Sequence, residues 1–405
     1  MLAIVSVVTV MLGIERLYIH MKLGLGLIEL AGIVACSQAL ILAAQLWFSG
    51  GENRRANQAL AYYILAQAVY LAMVSWAFSD YRPPVFSLYH LVGIIYLYGP
   101  LFYVYAHLLT GQGDRLASYW RHFVVPLMLW ATLPIFQDTE ILQAHTSYQT
   151  LPVAVKKELA MISFPSHLLM LLYTLWTLEL LGDHRRRIRD HFSSLDKINL
   201  MWLAALAGLM GVMSGVLLFL DAVGMIAGRF FLPGTGISFI VTIATINYIG
   251  VMSFRQPAIF HGRAPADVDI SAGDIIEDAD MEKYQKSGLS EERVDDLWAR
   301  LQKAMVEEQL FLRQGLKLDD LAKEASTHSN YLSQVINSRA GVNFYDFVNG
   351  HRVAFAEALL KDGASRRTIA DIAEASGFAS LNAFNSHFKK RLGCTPSAYR
   401  KQAKV

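Results

Sequence analysis

A chain of 405 residues is long enough for two or three domains, so a single compact globule is not the default expectation. Hydrophobic residues make up 54% of it and charged residues 17%, where a soluble domain carries about 25% charged residues. That surplus of apolar side chains needs lipid and excludes a wholly water-soluble protein, and the formal net charge of +2 averages over regions that have to be read separately.

Long apolar runs dominate from residue 24 to about 254, whereas residues 264–405 have the composition of an ordinary soluble protein. The chain therefore changes solvent partway along. Cys36 and Cys394 lie far apart and, on the topology below, in different compartments, which argues against a disulfide. A metal site would need a local cluster of ligands that the sequence does not offer.

Residues 1–14 (MLAIVSVVTVMLGI) are apolar but short for a span, and they lack the basic region and cleavage site of a signal peptide. Residues 1–25 are left as an uncertain segment. They fit an over-long start, with Met11 or Met21 as the true beginning, or an eighth helix that would invert the N-terminus.

Crossing about 30 Å of hydrocarbon takes roughly 20 mainly apolar residues in a helix. Seven stretches approach that standard: about 26–48, 58–78, 88–110, 120–137, 158–181, 200–220 and 236–254, the fourth interrupted by Pro126 and Pro134. With the N-terminus outside, the inner loops hold eleven basic residues: Arg54, Arg55, Arg115, Arg121, Arg185, Arg186, Arg187, Arg189, Lys197, Arg255 and Arg263. The outer loops and N-terminal segment hold six: Arg82, Lys156, Lys157, Arg229, Arg16 and Lys22. Basic residues stay cytoplasmic because the membrane potential and the anionic inner leaflet oppose their export. An odd number of spans then puts the C-terminus in the cytoplasm.

Polar groups inside spans are expensive and so are functional candidates: Glu29, Gln38, Gln45, Gln67, His90, His107, His167 and Asn247. The plainer alternative is interhelical hydrogen bonding or a place near the headgroups. Glu29, His90 and His107, with Tyr96 and Tyr103 from the aromatic run 96–105 beside a kink expected at Pro100, are the candidates for sensing a ligand. Ordinary aromatic packing explains that run equally well. Gly208, Gly211 and Gly215 would let helices approach closely.

Residues 264–282 contain seven acids and no base, and read as a spacer repelled by anionic lipid and by DNA. Ser290 then fits an N-cap for a helix to about residue 312, with Val294, Leu297, Trp298, Leu301 and Met305 on one face. That face would pack on the following domain or form a dimer seam, for which fewer than three heptads are available.

Residues 318–337 (LDDLAKEASTHSNYLSQVIN) follow a helix-turn-helix pattern. Leu321, Ala325, Leu332 and Val335 hold the buried positions, Ala322 the close approach and Ser326 the turn. The second helix, about Ser329 to Asn337, would enter the major groove. The pattern recurs over 369–390, with Ile372, Ala373, Gly377, Phe378, Phe384 and Phe388 in the matching places, and an apolar helix over about Phe344 to Leu360 lies between. Two units joined by one helix are far more specific than either alone.

This region resembles the DNA-binding domain of the AraC family of bacterial transcription regulators. The segments that carry the likeness are Asp320-Leu-Ala-Lys, Tyr331 to Asn337, Asn343 to Asn349, Ile372 to Phe378, Phe388-Lys-Lys390 and Gly393 to Arg400. It covers about residues 315–402. Upstream, Gly99-Pro100, Phe192 to Leu200 and Arg255 to Phe260 resemble the subgroup that fuses seven membrane helices to this domain. Three positions depart from the family: Ser326 stands where Gly is usual, His328 where a Ser caps, and Ser386 where Arg is common.

The resemblance implies double-stranded DNA, RNA polymerase and the lipid bilayer as partners, a possible homodimer, an unknown small-molecule or envelope signal, and no cofactor. Residues 326–405 hold eleven Lys plus Arg against five acids. Arg352, Lys389, Lys390, Arg391, Arg400 and Lys401 are the expected phosphate contacts, which supply affinity and salt dependence. Base edges would be read by Asn330, Ser333, Gln334 and Asn337 in the first unit and by Ser380, Asn382 and Asn385 in the second, because Asn and Gln suit bidentate readout of adenine. Contact with phosphate or water alone is the bland alternative.

The expected fold is all-α: a polytopic seven-helix transmembrane bundle over 26–260, an acidic linker over 261–289, a connecting helix over 290–314 and a domain of two helix-turn-helix units over 315–405. The expected function is a membrane-bound, non-enzymatic transcription regulator of the bacterial inner (cytoplasmic) membrane. The alternative is a transporter or membrane enzyme with a fused regulatory domain.

Overall fold

A computed structural model of the chain describes residues 27–51, 53–77, 93–111, 119–133, 152–196, 198–229, 234–255, 290–362 and 367–403. The N-terminal segment, the acidic spacer and His90 lie outside them. Every regular element among the described residues is helical, apart from one isolated antiparallel bridge between Phe192 and Lys317. The chain divides into two compact units, Met1–Leu181 with Met201–Val268, and Gly182–Leu200 with Asp269–Val405.

The first unit carries helices where the seven apolar stretches were expected: α1 (Leu27–Phe48), α2 (Arg54–Ala77), α3 (Tyr98–Leu109), α4 (Arg121–Thr132), α5 (Val153–His191), α6 (Met201–Ala227) and α7 (Gly234–Arg255). The helices α1 and α2 form a hairpin whose turn is tied by the Asn57 amide donating to Ser49 Oγ at 2.8 Å. They approach closely at Gly32, where a Cβ would lie 1.5 Å from Ser75 Oγ. A 3-10 turn (Gly93–Leu97) precedes α3. Pro100 therefore sits in the first turn of an α-helix, where its missing N–H costs nothing, and it opens α3 rather than kinking it. Of the three glycines expected at close approaches only Gly211 is at one, 2.9 Å from Thr174 Cγ2 when given a Cβ; Gly208 and Gly215 face open space.

Among the described residues, three helices are each long and apolar enough to cross a membrane: Leu30–Phe48 within α1, then α5 and α6; the stretches Gly93–Leu109 and Phe239–Arg255 are apolar but shorter. The 12 described residues of α4 give about 18 Å of helix at 1.5 Å per residue, and residues 134–137 of the expected stretch lie outside the described ones. The apolar surface of α6 faces outward: Leu209, Val212, Val216 and Phe219, spaced three or four apart, are each at least half exposed.

In the second unit, the end of α5 and residues 192–200 join the C-terminal helices. The expected bundle boundaries had placed this stretch with the membrane domain. Ser290 caps α8 (Glu291–Val306), its Oγ accepting from Arg293 N. This helix stops six residues before the expected 312; Gln309 is left-handed (φ 53°), and a 3-10 turn (Leu310–Leu312) follows. Leu297, Leu301 and Met305 of α8 pack with Leu321, Ala322, Ala325, Leu332 and Val335 in one core. The face offered for a dimer seam is thus filled by the chain itself.

The helix-turn-helix units are α9 (Leu318–Glu324) with α10 (Ser329–Ala340), and α12 (Ile369–Ala375) with α13 (Leu381–Leu392), joined by α11 (Phe344–Lys361) and followed by α14 (Pro396–Ala403). Asn343 caps α11, Thr368 forms a capping box with Asp371 at α12, and Ser380 caps α13. Val353, Ala356, Leu360, Ile372, Phe378, Phe384 and Phe388 make a second core. Both turns need a left-handed residue: Ser326 at φ 51° and Gly377 at φ 81°. A Cβ on Gly377 would lie 2.7 Å from the carbonyl oxygens of Phe311 and Leu312.

Gly377→Ala is therefore expected to destabilise the second unit by about 2 kcal/mol or more, from backbone strain plus the clash. Ser326→Gly relieves strain at an exposed turn against a loss in unfolded-state entropy, giving a stabilisation of at most about 1 kcal/mol. Hydrogen-exchange protection of residues 318–392 measures both.

Candidate nucleic-acid interface

In each unit the second helix buries one side and presents the other. On α10, Leu332, Val335 and Ile336 are buried while Asn330, Gln334 and Asn337 are exposed and Ser333 is half-buried, so the four polar groups form one row spaced by three or four residues. On α13, Phe384 and Phe388 are buried, Asn382 is exposed and Asn385 half-buried. Ser380 is the N-cap, its Oγ accepting from Ala383 N at 3.2 Å, so its hydroxyl proton and one lone pair are left to offer. At His328 no side-chain cap is made; Ser329 instead donates to Asp319.

The expected phosphate contacts divide. Lys389 and Lys401 are exposed. Lys390 lies 3.1 Å from Asp346 Oδ1, and Arg391 donates to Gly350 O at 2.6 Å, yet both stay exposed; Arg400 is half-buried in α14. Arg352 is not on this surface at all. Its side chain is 1% exposed, its Nε donates to Phe311 O at 2.7 Å, its Nη1 to Ser193 O and Asn349 Oδ1, and its Nη2 to Ser193 Oγ and Arg313 O. A guanidinium has five N–H donors and all five are used inside the fold. Basic character alone did not distinguish this interior cation from a surface one.

Sequence reasoning missed Arg293, Arg300 and Lys323. They line an open groove of about 660 Å³ with His328 and Tyr331, where α8 meets the turn of the first unit. Arg300 is paired with Asp296 and donates to Ala325 O. The signal was the pair Arg293 and Arg300, seven residues apart on α8, a helix that was counted as a connector rather than part of the unit.

The ligand-sensing candidates fall in the first unit, Glu29 lying in α1. Tyr96 is 2% exposed and donates to Ile162 O at 2.8 Å. Tyr103 packs among His107, His122, Tyr173 and Trp176, and Tyr119 lies 2.8 Å from His107 Nδ1. Tyr96 and Tyr103 thus have packing partners of the ordinary aromatic kind. A second polar group was not foreseen: His167 Nδ1 and Ser163 Oγ lie 2.9 and 2.8 Å from Asp221 Oδ2. Asp221 was missed because the sixth stretch was ended at residue 220, whereas α6 runs to Ala227.

Two helix-turn-helix units on one shared helix, each with an outward polar row, define a DNA-binding domain. Residues 321–402 match the family described as Helix-turn-helix domain. The chain is similar to the virulence regulon transcriptional activator VirF of Yersinia enterocolitica, 34% identical over 101 residues, which are 25% of this chain and 35% of that protein. It is similar to the melibiose operon regulatory protein of Escherichia coli (strain K12), 31% identical over 88 residues, 22% of this chain and 28% of that one. The TCP pilus virulence regulatory protein of Vibrio cholerae is 35% identical over 80 residues, 20% of this chain and 28% of that protein. A solved C-terminal domain of the two-component response regulator yesN from Fusobacterium nucleatum is 26% identical and matched over 98% of its length and 27% of this chain, with a TM-score of 0.23. The chain thus spans about a third or less of the curated relatives named here.

Burial holds the His351 imidazole below its ordinary range, with Arg391 adding to the effect. It does the same to His387, where Asp346 opposes and Lys390, Arg352 and Arg189 assist. Both rings are neutral in the fold and gain protons more readily when unfolded. Their stabilisation is full above the unfolded value of 6.5 and is lost as pH falls below it through the lower folded values. The second unit is therefore expected to lose thermal stability between pH 7.5 and 5.5, and His351→Gln with His387→Gln to flatten that dependence in a melting series.

Proposed function

We propose that this chain is a sequence-specific transcription regulator of the AraC type, held in the bacterial inner membrane by seven helices, with its C-terminal domain in the cytoplasm, and that it couples a membrane or envelope signal to gene expression. The observation that carries the DNA-binding part is the duplicated helix-turn-helix with its rows of exposed Asn and Gln. Asn330, Ser333, Gln334, Asn337, Ser380, Asn382 and Asn385 are the proposed base readers. Lys389, Lys390, Arg391, Arg400 and Lys401 are the proposed phosphate contacts. The relatives' printed names, activators and operon regulators among them, agree with a role in transcription, and RNA polymerase follows as a partner.

The membrane part rests on the outward apolar stripe of α6 and on the three helices long enough to span. Exposing so much contiguous apolar surface to water is costly and marks contact with lipid or partner helices. The 24-residue α2 and the shorter α3, α4 and α7 complete a seven-helix count in the company of their neighbours, and the excess of arginine in the intervening inner loops sets the orientation.

One observation favours a second reading, a transporter or membrane enzyme with a fused regulatory domain: the Ser163, His167 and Asp221 group within the first unit. Solute uptake by the reconstituted chain would decide for it.

Asn330→Ala with Gln334→Ala is expected to weaken binding to a duplex selected by the chain from a random library by tenfold or more, since a bidentate base contact is worth about 1–3 kcal/mol. A gel-shift titration at fixed salt checks this, and unchanged affinity removes these residues from the interface. A topology reporter fused after residue 260 is expected to be active only in cytoplasmic form; activity only in the periplasm overturns the orientation.

A further inference from the structure

The segment after α5 does not behave as a loop of the first unit. Residues 192–200 are held at one end by the His184 ring, whose Nε2 lies 3.0 Å from Ile198 O. At the other end they seat on the DNA-binding helices. Ser193, 2% exposed, donates its backbone N–H to Leu316 O at 3.1 Å. Its carbonyl accepts from Arg352 Nη1 and Asn349 Nδ2, both at 3.2 Å, and its Oγ accepts from Arg352 Nη2. Phe192 forms the antiparallel bridge with Lys317, whose ammonium stands over its ring.

Arg352 is the receptor for this segment. Besides Ser193, it holds the carbonyls of Phe311 and Arg313, which lead into the first helix-turn-helix, and lies against the ring of Phe378 in the second. Withdrawal of Ser193 would take acceptors from both Nη atoms of a buried cation, leaving N–H groups to find water inside the domain, a change that a packed core does not absorb smoothly. The segment thus touches a residue in the helix that joins the two helix-turn-helix units, and it directly continues α5.

We propose that the segment following α5, Phe192 to Leu200, is the coupling contact of this protein: it docks on Arg352 within the second unit and sets DNA affinity by being seated or withdrawn. This rests on the membrane-regulator reading above.

The test uses the full chain in membrane vesicles with Cys36→Ser and Cys394→Ser. Phe192→Cys with Lys317→Cys places a thiol on each side of the bridge, where paired Cα atoms are close enough for a disulfide. A protease site inserted between residues 264 and 289 makes cross-linking visible as two fragments migrating together until reduced. Most of the chain is expected to cross-link on mild oxidation. The cross-linked chain and a Ser193→Trp chain, in which a bulky side chain displaces the segment, are then titrated with a duplex selected by the chain from a random library. Their affinities are expected to differ at least fivefold. Failure to cross-link when each single-cysteine chain reacts with maleimide, or a difference below fivefold, overturns the proposal. Alkaline carbonate extraction separates the two levels: a chain released into solution removes the membrane reading, while the same two measurements still decide the docking. A chain that selects no duplex removes both.

Discussion

A single buried cation organises the DNA-binding unit. Arg352 sits in the middle of the helix that joins the two helix-turn-helix units, and it faces carbonyl oxygens, an amide and a hydroxyl rather than a carboxylate. Burial pulls its guanidinium down to about 10, still far above neutral pH, so it stays charged. A buried charge with no ionic partner is tolerated only when its hydrogen bonds are complete. That requirement fixes where residues 193, 311, 313 and 349 must be, and with them the entry of the chain into the first helix-turn-helix.

The two units of the chain differ in how much apolar surface they leave outside. In the second unit apolar groups turn inward to two cores, each built around one helix-turn-helix, and the connecting helix α8 belongs to the first of them. The first unit also buries apolar side chains, Leu60, Ile64, Leu71 and Phe102 among them, but α6 turns a stripe of them outward, and much of the polar bonding is internal: Tyr96 to a backbone carbonyl, Asn57 to Ser49, His167 and Ser163 toward Asp221. Outward apolar groups with internal polar bonds are what lipid favours, because a helix there has no reason to hide leucine and every reason to satisfy its polar atoms locally, and this agrees with the surroundings proposed for the first unit.

Much of this was legible in the sequence, through periodicity. The buried positions of both helix-turn-helix units, from Leu321 to Phe388, repeat at helical spacing with Ser326 and Gly377 in corresponding turns, and the helices lie where that spacing puts them. The capping of α8 by Ser290 was readable for the same local reason. What was not legible was long-range. Nothing in the composition of residues 182–200 distinguishes a basic loop from one docked over 150 residues away, and a lone arginine in an amphipathic helix does not announce that its guanidinium points inward. The partnership of His167 with Asp221 likewise depends on two helices meeting. The end of α6 was misjudged because a charged residue was taken as the end of an apolar run.

The second turn also limits how the domain can be taken apart. The backbone of residues 311 and 312 passes so close to Gly377 that no side chain fits there, whereas the first turn is open to solvent at Ser326. The two units are therefore not interchangeable modules. A graft of the C-terminal unit into another regulator would have to bring along the stretch that precedes the N-terminal one, and a library that varies the two turns would find sequence freedom in only one of them.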